Sequence, residues 1–94
     1  MVLHTLATAP SSAAFGACLR VLEKHDALLL LGDGVYACRH TDAREQLLAS
    51  GAQLYVLAPD AAAAGVATTA DFESVDMDGF VALTERFERQ LAWY

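Results

Sequence analysis

The stretch LLLLGDGVYACRH, residues 28–40, runs four leucines without a polar break into a glycine-bracketed aspartate. An apolar run with no alternation, preceded by Asp26 and stopped by Gly32, Asp33 and Gly34, is the pattern of a strand covered on both faces. Such a strand belongs to a parallel sheet with helices on either side, so this stretch decides the fold class. The glycines permit a tight strand-to-helix turn, with Asp33 placed to cap the next N–H groups. Two chemical readings compete with the turn. A phosphate cradle wants several glycines, free N–H groups and often a lysine or hydroxyl, whereas here an anion separates the glycines and no GxGxxG or GKT follows. A reactive thiol is the other: Cys38 stands beside Arg39 and His40, and positive charge stabilises a thiolate. Side chains one position apart on a helix do not face each other, so this adjacency in sequence does not itself charge the sulfur's surroundings.

Outward from that strand the same alternation of elements continues. Residues 1–6, MVLHTL, are short, apolar and β-compatible. Pro10, Ser11 and Ser12 supply a turn and a helix N-cap, and Phe15, Cys18, Leu19 and Leu22 recur at helical spacing, which predicts a helix over 12–24. His25 ends that helix, where positive charge suits the dipole. Thr41 or Asp42 caps a helix carrying Leu47 and Leu48, closed by Ser50 and Gly51. Residues 53–58, QLYVLA, read as a third strand, and Pro59 with Asp60 as a cap opens a short alanine-rich helix ending near Gly65. Residues 72–76 read as a weaker fourth strand. Asp78 or Gly79 begins a last helix with Phe80, Val81, Leu83, Thr84 and Phe87 near one face. The tail Leu91-Ala92-Trp93-Tyr94 is left without an element. The pattern predicts an α/β domain over residues 1–94 with a mainly parallel sheet flanked by helices. Function in such sheets collects at the carboxyl ends of strands. Segments 32–40, 58–62 and 76–79 reach that edge.

Composition narrows the function classes. The chain has 94 residues and a net charge of −6, with Lys24 its one lysine, which argues against direct nucleic-acid binding. Hydrophobic content of 55% against 19% charged residues suggests apolar surface left for a partner. With two cysteines and no CxxC or Cys/His cluster, neither a disulfide framework nor a metal site is expected. No cofactor is implied. No apolar run approaches a membrane span, and the N-terminus lacks a basic region followed by an apolar one, so a soluble, cytoplasmic setting is expected. Cys18 lies on the apolar stripe of its helix as a small core residue or, alternatively, as a thiol carrier. Cys38 is the other candidate thiol, read as partly exposed. His4 reads as a hydrogen-bonded, partly buried strand residue, and His40 as a loop residue. Physics alone yields a small α/β domain without a complete catalytic constellation.

Several motifs in order add to this. LHTL covers residues 3–6 with Pro10 soon after, LLLLGDGVYA covers 28–37, LYVLAPD covers 54–60 with Gly65 following, DMDGFVALT covers 76–84, and LAWY closes the chain. Nearly end to end this order resembles the DsrH/TusB family of small DsrE-like proteins. The resemblance implies a three-layer DsrE-like domain. It implies sister subunits, TusC-like and TusD-like, in a dimer of heterotrimers that relays persulfide sulfur towards 2-thiouridine at the tRNA wobble position. DsrF-like and DsrE-like sisters in bacterial sulfur oxidation are the related alternative. It places the principal carrier cysteine in a sister, in the loop after its third or fourth strand. Here that loop reads Ala58-Pro59-Asp60-Ala61-Ala62, so the carrier thiol does not carry over and a supporting, non-catalytic role follows. Some family members have a cysteine near Cys18; Cys38 has no counterpart. A thiol enzyme using Cys18 or Cys38 and a ligand binder using the Gly32–Gly34 turn with Asp60 remain alternatives. Trp93 and Tyr94 are candidate interface residues.

Overall fold

The leucine run becomes β2, Ala27–Leu30, and all four of its residues are buried. In the computed structural model, which describes residues 1–94, β2 lies at the centre of a five-stranded sheet. Its neighbours are β1, Val2–Leu6, and β3, Gln53–Leu57; beyond them lie β5, Arg89–Trp93, and β4, Glu73–Val75. The order is β4-β3-β2-β1-β5 and every pairing is parallel. The sheet is therefore wholly rather than mainly parallel. The helices are α1, Ala13–Val21; α2, Thr41–Ala49; α3, Ala58–Ala64; and α4, Met77–Arg86, with a 3₁₀ helix over Gly32–Arg39.

Strand alternation divides the core in two. On one face Leu6, Leu28, Leu30, Leu54 and Val56 pack with Phe15 and Cys18 of α1, Val35 and Cys38 of the 3₁₀ helix, Leu47 of α2 and Ala61 of α3. On the other, Leu3, Leu29, Tyr55 and Leu57 pack with Leu83 of α4 and with Phe87. The lopsided layering follows from handedness. The chain steps from β1 through β4 in one direction, so right-handed crossovers put α1, α2 and α3 on one face; the return from β4 to β5 runs the other way and puts α4 on the opposite face. The Cα radius of gyration is 11.7 Å, close to the ~12 Å expected of a compact chain of this length.

Several boundaries and caps differ from the sequence reading. The tail left unassigned is the fifth strand, an edge strand that is exposed from Arg89 to Ala92 and paired only with β1. α1 stops at Val21, so His25 lies in a turn and not at a helix end. α2 is capped by His40, whose Nδ1 accepts the Ala43 N–H at 3.2 Å, and not by Thr41 or Asp42. α4 begins at Met77 under Asp76, whose Oδ1 accepts the Gly79 N–H. Ser12 does cap α1, through the Phe15 N–H.

The turn after β2 uses its two glycines for different reasons. Gly32 has φ +50°, a left-handed conformation that an L side chain resists. Gly34 is buried beneath the end of β1, where a Cβ would collide with the Leu6 carbonyl oxygen. Asp33 is exposed and makes no capping bond; the Gly32 N–H instead donates to Asp60 Oδ2 at 2.7 Å. Asp60 thus reaches across from α3 to β2's turn and does not cap its own helix. Replacing Gly32 by alanine should cost about 1 kcal/mol. Gly34→Ala should cost more, about 1–3 kcal/mol, because the main chain of β1 must shift. Urea denaturation of the purified chain measures both, and equal small losses would contradict the close approach at Gly34.

Candidate functional site

The carboxyl edge of the sheet is the place to look for chemistry in an open parallel sheet. There the Gly32–Arg39 helix and α3 lie side by side and frame a shallow depression of about 250 Å³, lined by Gly32, Asp33, Tyr36, Asp60, Ala63 and Ala64. Asp60 is already engaged by Gly32, and the Arg39 guanidinium lies 4.8 Å from the centre of the Tyr36 ring. No cysteine, histidine or serine lines this depression. No three His, Cys, Asp or Glu side chains converge as a metal site would require.

Both thiols are buried in the core. Cys18 and Cys38 are each 1% exposed and belong to the larger core. Burial, with the Asp26 charge adding to it, pushes the Cys18 pKa up to about 11. Burial likewise pushes Cys38 up to about 11, against a smaller opposing pull from Arg44. At neutral pH both are thiols and not thiolates, and the thiolate is the nucleophile. Cys38 is fully enclosed where the sequence suggested partial exposure. Its neighbours Arg39 and His40 are exposed, so the cationic surroundings suggested by adjacency do not form. The 3₁₀ helix turns Cys38 inward with Val35 and leaves Arg39 outside.

Sequence reasoning missed the most elaborate polar feature, which spans both ends of the chain. Asp26 is 5% exposed, at the start of β2. Its Oδ1 accepts the Val2 N–H at 3.0 Å, and its Oδ2 accepts the Glu23 N–H at 3.0 Å and lies 3.0 Å from His4 Nε2. The other nitrogen of His4, Nδ1, lies 3.1 Å from Nε1 of Trp93. The indole N–H can only donate, so Nδ1 is the acceptor and Nε2 carries the ring proton that goes to Asp26. The imidazole is 1% exposed and lies edge to edge with the indole, the two ring planes 21° apart and their centres separated by 6.2 Å. Trp93, offered by the sequence as an interface residue, is half buried and tied inward; Tyr94 beside it is 88% exposed. The available signal was His4 on a strand with Asp26 just ahead of the strand that pairs with it, but the register joining them is a property of the sheet.

Burial works to raise the Asp26 pKa, but the bonds from His4, Glu23 and Val2 outweigh it and hold the carboxyl below its ordinary value. A depressed folded pKa means that the group's stabilisation is fully present above the unfolded value and is lost as pH falls through the folded one. Asp26→Asn should therefore cost ~2 kcal/mol or more at pH 7, since donors are left facing an amide. The gap between wild type and variant should close as pH drops below about 4. Urea unfolding across pH 3–7 checks this, and a gap independent of pH would show that the carboxylate charge is not what stabilises the network.

With the geometry in place, comparison with known proteins gives a consistent result. The family model described as DsrH like protein matches residues 8–90. The chain is 41% identical to a Protein TusB of Pectobacterium parmentieri and 44% identical to one of Pectobacterium atrosepticum, each alignment covering 98% of this chain and all of the relative. A Protein TusB of Escherichia coli is 38% identical over the same shares. Matches of this extent bear out the resemblance seen in the ordered motifs: the chain belongs to the DsrH/TusB family.

Proposed function

We propose that this chain is the supporting subunit of a TusBCD-like sulfurtransferase assembly, which passes persulfide sulfur towards 2-thiouridine at the tRNA wobble position. The observation that carries this reading is near-full-length identity of about 40% to several proteins named TusB. The depression at the carboxyl edge supports the division of labour. No cysteine lines it, and both thiols are buried and protonated. A relay needs an accessible thiolate to take up sulfur, so that group belongs to a sister. The net charge of −6 fits contact with proteins better than with RNA backbone. No helix is long and apolar enough to cross a membrane, in keeping with a cytoplasmic assembly.

The sisters are TusC-like and TusD-like chains, assembled with this one as a dimer of heterotrimers. Exposed apolar side chains available to them include Met77 and Val81 on α4, Leu91 on β5 and the terminal Tyr94. Aromatic residues commonly dominate interface energy. Co-expression with both sisters should yield a stable hetero-oligomer by mass measurement, and loss of the gene should deplete thiolated wobble uridine. Tyr94→Ala should leave the melting temperature of the isolated chain unchanged and weaken assembly by roughly tenfold or more. Trp93→Ala should instead lower that melting temperature, because the indole packs on the core and holds His4. Purification of the chain free of its sisters after co-expression would overturn the assembly, and unchanged wobble thiolation would redirect the reading towards sulfur oxidation.

A further inference from the structure

We propose that His4 is a proton-operated latch on the C-terminal strand: its neutral ring holds Trp93, and uptake of a proton releases it. The latch follows from bond directions. Trp93 Nε1–H must donate and occupies the lone pair of His4 Nδ1, while His4 Nε2–H donates to Asp26. A second proton can enter only at Nδ1. It would then face the indole N–H, two donors 3.1 Å apart with the imidazole almost fully enclosed. The indole has to move away. The imidazolium does not, because its charge strengthens the bond to the Asp26 carboxylate. Protonation therefore tightens one end of the chain Asp26–His4–Trp93 and opens the other.

The strand at the open end is poised to respond. β5 has a neighbour on one side only, and Trp93 is its single residue that is not exposed. The last rung of the β1–β5 ladder pairs Leu6 with Trp93, and the Ala7 N–H donates to the Trp93 carbonyl at 3.3 Å. Loss of the indole anchor frees the end of an edge strand with little else buried, which is where local opening is easiest. The elements packed about His4 are α1, β2 and β5. Their ionisable side chains are the buried, neutral Cys18 and the exposed Arg20 on α1, Arg89 exposed on β5, and none on β2; Asp26 precedes β2 and the exposed terminal amine precedes β1. None of these lies between His4 and Trp93 as an alternative acceptor for the freed N–H. The released end includes Tyr94, so the latch would regulate the surface assigned above to sister binding; that consequence rests on the proposed assembly, while the latch itself does not.

The isolated chain allows a direct test by nuclear magnetic resonance, because its one tryptophan gives one indole signal. Across a titration from pH 8 to 5, the indole N–H should move towards the free position in step with the ring nitrogens of His4. Amide exchange of residues 91–94, corrected for intrinsic rate, should quicken by about tenfold or more while β2 stays protected. Trp93→Phe keeps a ring and removes the donor, and there the β5 exchange should lose its dependence on His4. His4→Gln should abolish the titration of the indole signal. Protonation of His4 with the indole signal unmoved would overturn the latch. So would pH-dependent β5 exchange that persists in Trp93→Phe, or a His4 that stays neutral until the whole chain unfolds. Binding to the sisters that ignores pH, with the indole titration intact, would refute only the link to assembly.

Discussion

The carboxylate of Asp26 is the fixed point from which the termini of this chain are held. A buried charge is costly unless each lone pair finds a donor. Asp26 finds three: the N–H that opens β1, the N–H of Glu23 that closes the turn after α1, and the imidazole of His4. Through that imidazole it reaches Trp93, 89 positions beyond His4. One side chain therefore sets how β1 enters the sheet, where α1 ends and how the last strand is pinned. The order of strands makes this necessary. β5 docks against β1 only after the chain has crossed the whole opposite face through α4, so the first and last strands meet with no local turn to fix them.

Around that point the sheet is ordinary parallel architecture, and its function must be sought at its edges. The β2 turn approaches β1 closely at Gly34 and is tied to α3 through Asp60, which braces the carboxyl edge without furnishing a thiol. Its two sulfur atoms are shut away from solvent, and burial keeps both protonated even though Arg44 pulls the other way at Cys38. A chain built this way is suited to presenting surface to partners. Its apolar excess is visible at Met77, Val81, Leu91 and Tyr94, which lie outside both cores.

What the sequence made legible were features encoded locally. The unbroken Leu28–Leu30 run, the strand QLYVL, the Ser12 cap and the glycine turn each rest on a few neighbouring residues. β5 was hidden because its sides are exposed from Arg89 to Ala92, so it has neither the apolar run of a covered strand nor an alternation that marks a half-covered one. The caps erred in a shared way: Asp33, Thr41, Asp42 and Asp60 have the right chemistry for a cap, but the three-dimensional path gave those N–H groups to other partners or turned the side chain to solvent. Cys38 was read as partly exposed, whereas the 3₁₀ turn, with three residues per turn, brings it onto the inward face with Val35. His4, Asp26 and Trp93 could not be joined from spacing, since only parallel register brings β1 beside both β2 and β5. The ordered motifs identified the family, which no single element's spacing does, but they too left this network unseen.

The central claim is that this subunit supports sulfur transfer without carrying sulfur. The most direct measurement is persulfide loading of every subunit by mass spectrometry during turnover of the reconstituted assembly, with this chain as wild type and as Cys18→Ala with Cys38→Ala. Alanine removes only a small buried volume at each site, so the variant should still assemble. The account predicts persulfide on a sister, none on this chain and transfer largely retained in the variant. Stoichiometric persulfide on Cys18 or Cys38, with transfer abolished in a variant that assembles normally, would contradict it and make this chain a member of the relay.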